Sequence, residues 1–223
     1  MFLDEIMRQA QESAIIRLSM HIREGKPFSS FPTVSGEVRI IPHKFMFTDE
    51  DLTLLQASQV ICGTNAERNR INKRVRELQG RGPEPEPDDK IISLDNHWDI
   101  ISEEDNALTN GAIGNIIAYT RYEQDYNTSN RLLKDFKPTQ MMHTDLVTDD
   151  GDTFLNLPID YECLVTGEPS LTLKQEAQLA RYIKNLEARM IKNPYLNLNN
   201  LYKDIPFHFN YGYAITCWKA QGS

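Results

Sequence analysis

The nine residues from Arg81 to Asp89, RGPEPEPDD, contain three prolines and no apolar side chain. Proline has no amide proton and pushes its predecessor out of the α region, so neither a helix nor a central strand runs through such a stretch. It divides the chain into two textures. On its N-terminal side, Ile15, Ile16, Leu18 and Ile22 recur at helical spacing within residues 4–24, and Gly25 is a good stop. Lys26 to Ser35, with Pro27, Pro32 and three serines, reads as loop. Glu37 to Ile41 is expected as a short strand, and Thr48 opens a helix carrying Leu52, Leu54 and Leu55. Gln59 to Gly63, QVICG, has the look of a short buried strand. Asn65 caps and opens a helix that reaches Leu78 and closes at Gly80. Strand and helix alternate, which argues for an α/β layer.

On the C-terminal side the pattern turns to β. Lys90–Leu94, Ile113–Tyr119 after the Asn110-Gly111 turn, Thr139–Thr148, and Thr153–Leu157 after the turn Asp149–Asp152 are expected strands. Glu162–Val165 adds one more, and Trp98 with the run 102–105 is expected in a loop. Strands at this spacing suggest a small antiparallel barrel. Leu173–Ile191 reads as a long charged helix ended by Pro194. From Phe207 the chain returns to strand and then helix; Phe207, Phe209, Tyr211 and Tyr213 alternate at strand spacing and are expected in the core. There is no internal repeat. The economical architecture is a small barrel inserted into an α/β domain, with boundaries at 1–80, 81–206 and 207–223. Gln59–Gly63 and the segment from Phe207 should then share a sheet or pack directly together.

Charge and composition narrow the function. A net charge of -8 argues against coating nucleic acid by bulk attraction, and leaves room only for a local basic groove. Arg68, Arg70, Lys73, Arg74 and Arg76 make one helix locally basic, for which a solvated face is the ordinary explanation. No apolar run approaches a membrane span, and Met1 to Ala10 carries charged and polar groups, so a cytoplasmic protein without a membrane partner is expected. Cys62, Cys163 and Cys217 form no CxxC pair and read as reduced, partly buried thiols. The five histidines are scattered, without metal or triad spacing.

The last residues, Phe209-Asn-Tyr-Gly-Tyr-Ala-Ile-Thr-Cys-Trp-Lys-Ala-Gln-Gly-Ser223, carry more. They resemble motif V of superfamily 1 helicases of the RecD and Dda type, whose pattern is YAxTxHKxQGSE. Tyr213, Ala214, Thr216, Lys219, Gln221, Gly222 and Ser223 match, and Trp218 stands where histidine is usual. Asp4 to Ser13, Ile15-Ile16 and Ile22 to Lys26 resemble motif IV of the same family, and Cys62 to Asn72 its next segment. Asp89–Asn96 with Leu108–Gly114 resembles the SH3-like barrel inserted before motif V, while residues 121–206 match only loosely.

The resemblance implies a fold and a division of labour. The chain would be most of a second RecA-like lobe with an SH3-like insertion, part of an ATP-dependent 5′-to-3′ DNA helicase acting in recombination, repair or phage replication. Arg8 would be an arginine finger that stabilises charge on the γ-phosphate, with Gln9 beside it and Gln221 and Gly222 near the nucleotide. Thr64 and Asn65 would meet a DNA phosphate at a helix N-terminus, or Asn65 would simply cap. Thr216 and Lys219 would touch the strand backbone, and Trp218 would either stack on a base or pack in the core. ATP and Mg²⁺ would be bound mainly by a first, N-terminal RecA-like lobe, which these residues do not include. The phosphate loop GxxxxGK[ST] is absent: the one Gly-Lys pair, Gly25-Lys26, is followed by Pro27 and has Met20 where the first glycine belongs. The chain alone is therefore expected to hydrolyse no ATP. Two other readings stay open: a DNA- or partner-binding module that never hydrolyses ATP, and a structural subunit of a helicase-nuclease complex.

Overall fold

The computed structural model describes residues 13–32, 34–35, 38–41, 51–124, 139–168, 173–192 and 205–220. It is a mixed α/β protein that divides into two compact units, Met1–Thr53 and Leu54–Ser223.

In the first unit, α1 (Ala14–Arg23) ends where the Gly25 and Lys26 amides donate back to Ile22 and His21 carbonyls. The His21 ring then meets Phe31 edge-on at 5.3 Å and bonds the Pro27 carbonyl and Ser30 hydroxyl, each at 3.0 Å. The expected loop therefore carries a 3-10 turn (Phe28–Ser30) and a strand, β1 (Val34–Ser35), antiparallel to β2 (Val38–Arg39). The beginning of the expected 4–24 helix and Thr48 lie outside the described residues; residues 51–56 are helical.

The second unit joins two motifs. In one, β3 (Val60–Cys62) pairs in parallel with β11 (Ala214–Thr216), and α2 (Asn65–Leu78) follows β3. Cys62, Ile71, Val75 and Ala214 form its core. The strand expected to be buried is covered on one side only, and Ile61 points outward. In the other motif, five antiparallel strands run in the order β10 (Phe209–Tyr211), β4 (Lys90–Ser93), β7 (Ile113–Gln124), β8 (Thr139–Thr148) and β9 (Thr153–Asp160). A short hairpin, β5 (His97–Ile101) and β6 (Ala107–Leu108), lies between β4 and β7 in sequence. Ile91, Ile116, Met142, Leu146, Phe154, Ile159, Phe207 and Phe209 fill the core, as the alternating aromatics from Phe207 led one to expect. At Gly114 the Val147 carbonyl oxygen would lie 2.4 Å from a Cβ, so β7 and β8 approach there only through glycine.

Several expectations are corrected. The described strands make no closed barrel. The edges β9 and β10 meet at one isolated bridge, Ile159–Phe207, where Phe207 donates to Pro158 O (2.7 Å) and accepts from Asp160 N (2.9 Å). Pro158 has no amide to extend that pairing, and the chain turns into a helix right after Asp160. That helix, α3 (Tyr161–Thr166), replaces the expected strand at Glu162–Val165. Asp160 caps it through Cys163 N at 3.0 Å, and Gly167, at φ 73°, closes it in the left-handed conformation. Trp98 sits on β5, exposed, and not in a loop. A long helix, α4 (Leu173–Lys192), follows.

Residues 81–89, expected as a linker or an insertion boundary, form an ordered turn held by hydrogen bonds. Asp89 is completely buried and accepts from Arg76 Nε at 3.0 Å and Nη2 at 3.1 Å. Its carboxylate also accepts from Glu86 N (2.7 Å) and the Tyr213 hydroxyl (2.9 Å), with Arg81 Nε 3.6 Å away. Arg68 and Arg76 on α2 are correspondingly buried, whereas Arg70 and Lys73 are on the solvated face expected for most of the set.

A buried carboxylate left without its guanidinium partner costs far more than a surface pair. Arg76→Ala is expected to lower unfolding stability by about 3–5 kcal/mol. Arg74→Ala, which removes a half-exposed pair to Glu77 at 3.5 Å, should cost under about 1 kcal/mol. Denaturant titration checks this, and similar midpoints for the two variants would contradict it.

Candidate functional site

The parallel pairing of β3 and β11 sets Thr216 opposite Cys62, so the carboxyl ends of both strands finish side by side. In open α/β layers the crevice outside such strand ends is where ligands bind. One end leads through Thr64 into the N-terminus of the 14-residue α2. The other leads through Thr216 into a short helix, α5 (Cys217–Ala220). The two ends are stitched together: Cys217 Sγ donates to Cys62 O at 3.3 Å, and Cys62 Sγ to Ile215 O at 3.4 Å. Of the three cysteines, Cys62 and Cys163 are buried and Cys217 is exposed, all as free thiols.

Thr64, and not Asn65, is the cap: its hydroxyl oxygen accepts from Glu67 N at 3.2 Å. Asn65 is the first helical residue, and its side-chain oxygen accepts from Arg68 Nη1 at 3.1 Å. Periodicity cannot separate neighbours that are both good caps. Arg68 lies beneath this end, with Asn69 Oδ1 (2.9 and 3.1 Å) and Gly167 O (2.8 Å) as its other acceptors. Its hydrogen-bond partners are neutral, and burial pulls its pKa down against the nearby Glu168 carboxylate.

Trp218 is 86% exposed, so among the described residues it is a surface group and not core. Lys219 is half-buried: its ammonium donates to Leu94 O at 3.1 Å and to the Asn110 side-chain oxygen, tying α5 to the β4 end and the turn before β7. Burial lowers its pKa, while Asp95 opposes that shift. Any phosphate contact by Lys219 would share the ammonium with these two acceptors. Thr64, Thr216, Trp218 and Lys219 are thus gathered around the two strand ends. Arg8, Gln9, Gln221 and Gly222 lie outside the described residues.

Beside Lys219 is a pair that no sequence pattern announces. His208 Nδ1 lies 2.6 Å from Asp95 Oδ2, 113 positions away in sequence. His97 stacks on Phe207 at 3.8 Å. No local spacing reports a partner that distant. Among the described residues no group of three His, Cys, Asp or Glu side chains could hold a metal ion, and no helix is long and apolar enough to cross a membrane. Compared with protein-family models and with curated proteins, the chain finds no match.

The Asp95–His208 bond raises the His208 pKa, burial opposing, and lowers that of Asp95, burial again opposing. Stability from a raised histidine is complete below its unfolded value, about 6.5, and is lost as pH rises through the folded value. Stability from a depressed aspartate is complete above about 3.9 and is lost as pH falls through the folded value. The pair is therefore strongest between these limits. His97, whose pKa burial lowers, works in the opposite direction on the acid side, so a difference between variants is the cleaner measure. The loss in thermal midpoint caused by His208→Gln is expected to be larger at pH 6 than at pH 8.5. An equal or larger loss at pH 8.5 would contradict the ion pair.

Proposed function

We propose that this chain is part of an ATP-dependent 5′-to-3′ DNA helicase and contributes the portion of a second RecA-like lobe that holds single-stranded DNA, the β-rich module being its SH3-like insertion. The observation that carries the reading is the parallel pair β3–β11, whose adjacent ends present Thr64 and the α2 N-terminus on one side and Thr216 with exposed Trp218 on the other. Thr64 uses its oxygen to cap, which leaves its hydroxyl proton for a phosphate oxygen. The first amides of α2 add unpaired donors and the positive end of the helix dipole. Glu67 in that first turn would repel a phosphate, but Arg70 holds it at 2.7 Å and offsets its charge. Trp218 supplies a π-face for a base, whatever the base. With a net charge of -8, binding would come from this local arrangement and not from bulk attraction.

The residues assigned to the nucleotide are outside the described set, and the described residues supply no carboxylate cluster for a metal. A DNA-binding module without hydrolysis would use the same strand site.

The site is tested by titrating a fluorescent single-stranded oligonucleotide with the purified chain. Trp218→Ala is expected to weaken binding about five- to a hundredfold, the loss of one ~1–3 kcal/mol stacking contact. The thermal midpoint should not move, because the ring is exposed. Unchanged affinity in Trp218→Ala, or no binding by the parent chain at low salt, would contradict the reading.

A further inference from the structure

The fold brings two free thiols together across the ends of β3 and β11. Cys62 closes β3 and Cys217 opens α5, 155 positions later in the sequence. Thr216 is the register partner of Cys62, and Cys217 follows it directly. With neighbouring strands ~4.8 Å apart and a rise of ~3.3 Å per residue, the two Cα atoms lie roughly 6 Å from each other. Disulfides join Cα atoms about 4.4–6.8 Å apart. Each sulfur also leans toward the opposite strand. Cys217 Sγ is 3.3 Å from Cys62 O, and Cys62 Sγ is 3.4 Å from Ile215 O.

The three cysteines differ in reactivity. Cys217 is exposed, whereas Cys62 and Cys163 are buried. Burial raises the Cys62 thiol pKa, the bond to Thr64 O and the Arg68 charge oppose the rise, and Glu67 and the Cys217 sulfur add to it. The two sulfurs are thus near enough for charge on one to be felt by the other. Burial in α3 pushes the Cys163 thiol up to about 12. Nucleophilic attack needs access and a thiolate, so the exposed thiol meets an oxidant first and Cys163 is inert.

We propose that Cys62 and Cys217 form a reversible disulfide that clamps α5 onto β3 when small oxidised disulfides are in excess. The Cys217 thiolate attacks one sulfur of the small disulfide; that S–S bond breaks and one small thiol leaves. Cys62 loses its proton to water and attacks Cys217 Sγ, and the second small thiol leaves. Two protein thiols are oxidised by two electrons, and the small disulfide is reduced to two thiols. α5 has four residues, and Lys219 ties its far end to Leu94 O and the Asn110 side chain. Drawing Cys217 toward Cys62 therefore moves Trp218, the next residue, within the strand-end crevice. The bond rests on the β3–β11 pairing and not on the strand-binding reading, since it forms or fails without nucleic acid.

The experiment is incubation of the native full chain with millimolar oxidised glutathione, quenching with N-ethylmaleimide, and peptide mass mapping without reduction. A peptide joining Cys62 to Cys217 is expected, in a chain lighter by two hydrogens, and dithiothreitol should reverse it. Cys217→Ser, at an exposed position, should abolish the link and leave the thermal midpoint unchanged. Cys163→Ser should keep the link. Cys62→Ser should stop at a glutathione adduct on Cys217, which separates the attacking thiol from the resolving one. The proposal is overturned if Cys62 and Cys217 of the parent chain stay free to alkylate, if the glutathione adduct persists on Cys217 with Cys62 unreacted, or if the link runs through Cys163.

Discussion

The second unit is organised around one buried carboxylate. Burying an ionised group costs several kcal/mol even after relaxation, and the cost is met only where hydrogen bonds and an opposite charge surround it. Asp89 meets that condition by drawing on four parts of the chain. Arg76 comes from α2, Glu86 N from the proline-rich turn, Tyr213 from the crossing between β10 and β11, and Asp89 itself leads into β4. Each of these parts must arrive for the carboxylate to be tolerated, so the interaction specifies the arrangement as much as it stabilises it. Tyr213 also packs against both hydrophobic clusters, where the two motifs meet.

What this arrangement positions is the end of the parallel pair. Between β10 and β11 the chain changes sheets at Gly212, whose amide donates to Lys90 O at 2.7 Å. Asn72 of α2 grips the same crossing: its amide nitrogen donates to Tyr211 O at 2.8 Å and its oxygen accepts from Ala214 N at 2.7 Å. Helix, crossing and sheet are therefore locked, and β11 has little freedom to slide against β3. The ends carrying Thr64 and Thr216 then stay adjacent, and Lys219 fixes α5 through Leu94 and Asn110. A site for a flexible polyanion gains from such rigidity, because less entropy is lost when the strand binds.

Local signals were legible and distant partners were not. The helix from Asn65 to Leu78 and the strand from Thr139 to Thr148 coincide with expectation, because apolar period and flanking turn residues agree there. α3 was misread because Cys163, Leu164 and Val165 make a short apolar run, while the Asp160 cap that decides for helix is visible only as a hydrogen bond. Which of the basic residues on α2 are buried was not legible, because charge periodicity cannot report Gly167 or Asp89 waiting to receive Arg68 and Arg76. β7 runs five residues beyond the expected Tyr119, since pairing with β8 carries it past its apolar stretch. The adjacency of β3 and β11 followed from the proline-rich boundary at 81–89 and the return of the chain at Phe207, which together mark an insertion, and the open edge between β9 and β10 had no signal in the sequence at all.

The proposed DNA-facing surface at the parallel strand ends is tested most directly by hydrogen–deuterium exchange of the chain with and without a single-stranded oligonucleotide. Added protection is expected at Thr64 to Arg68 and at Thr216 to Ala220, with β8 and β9 unchanged. Protection confined to the five-stranded sheet, with both strand ends exchanging as in the free protein, would contradict it.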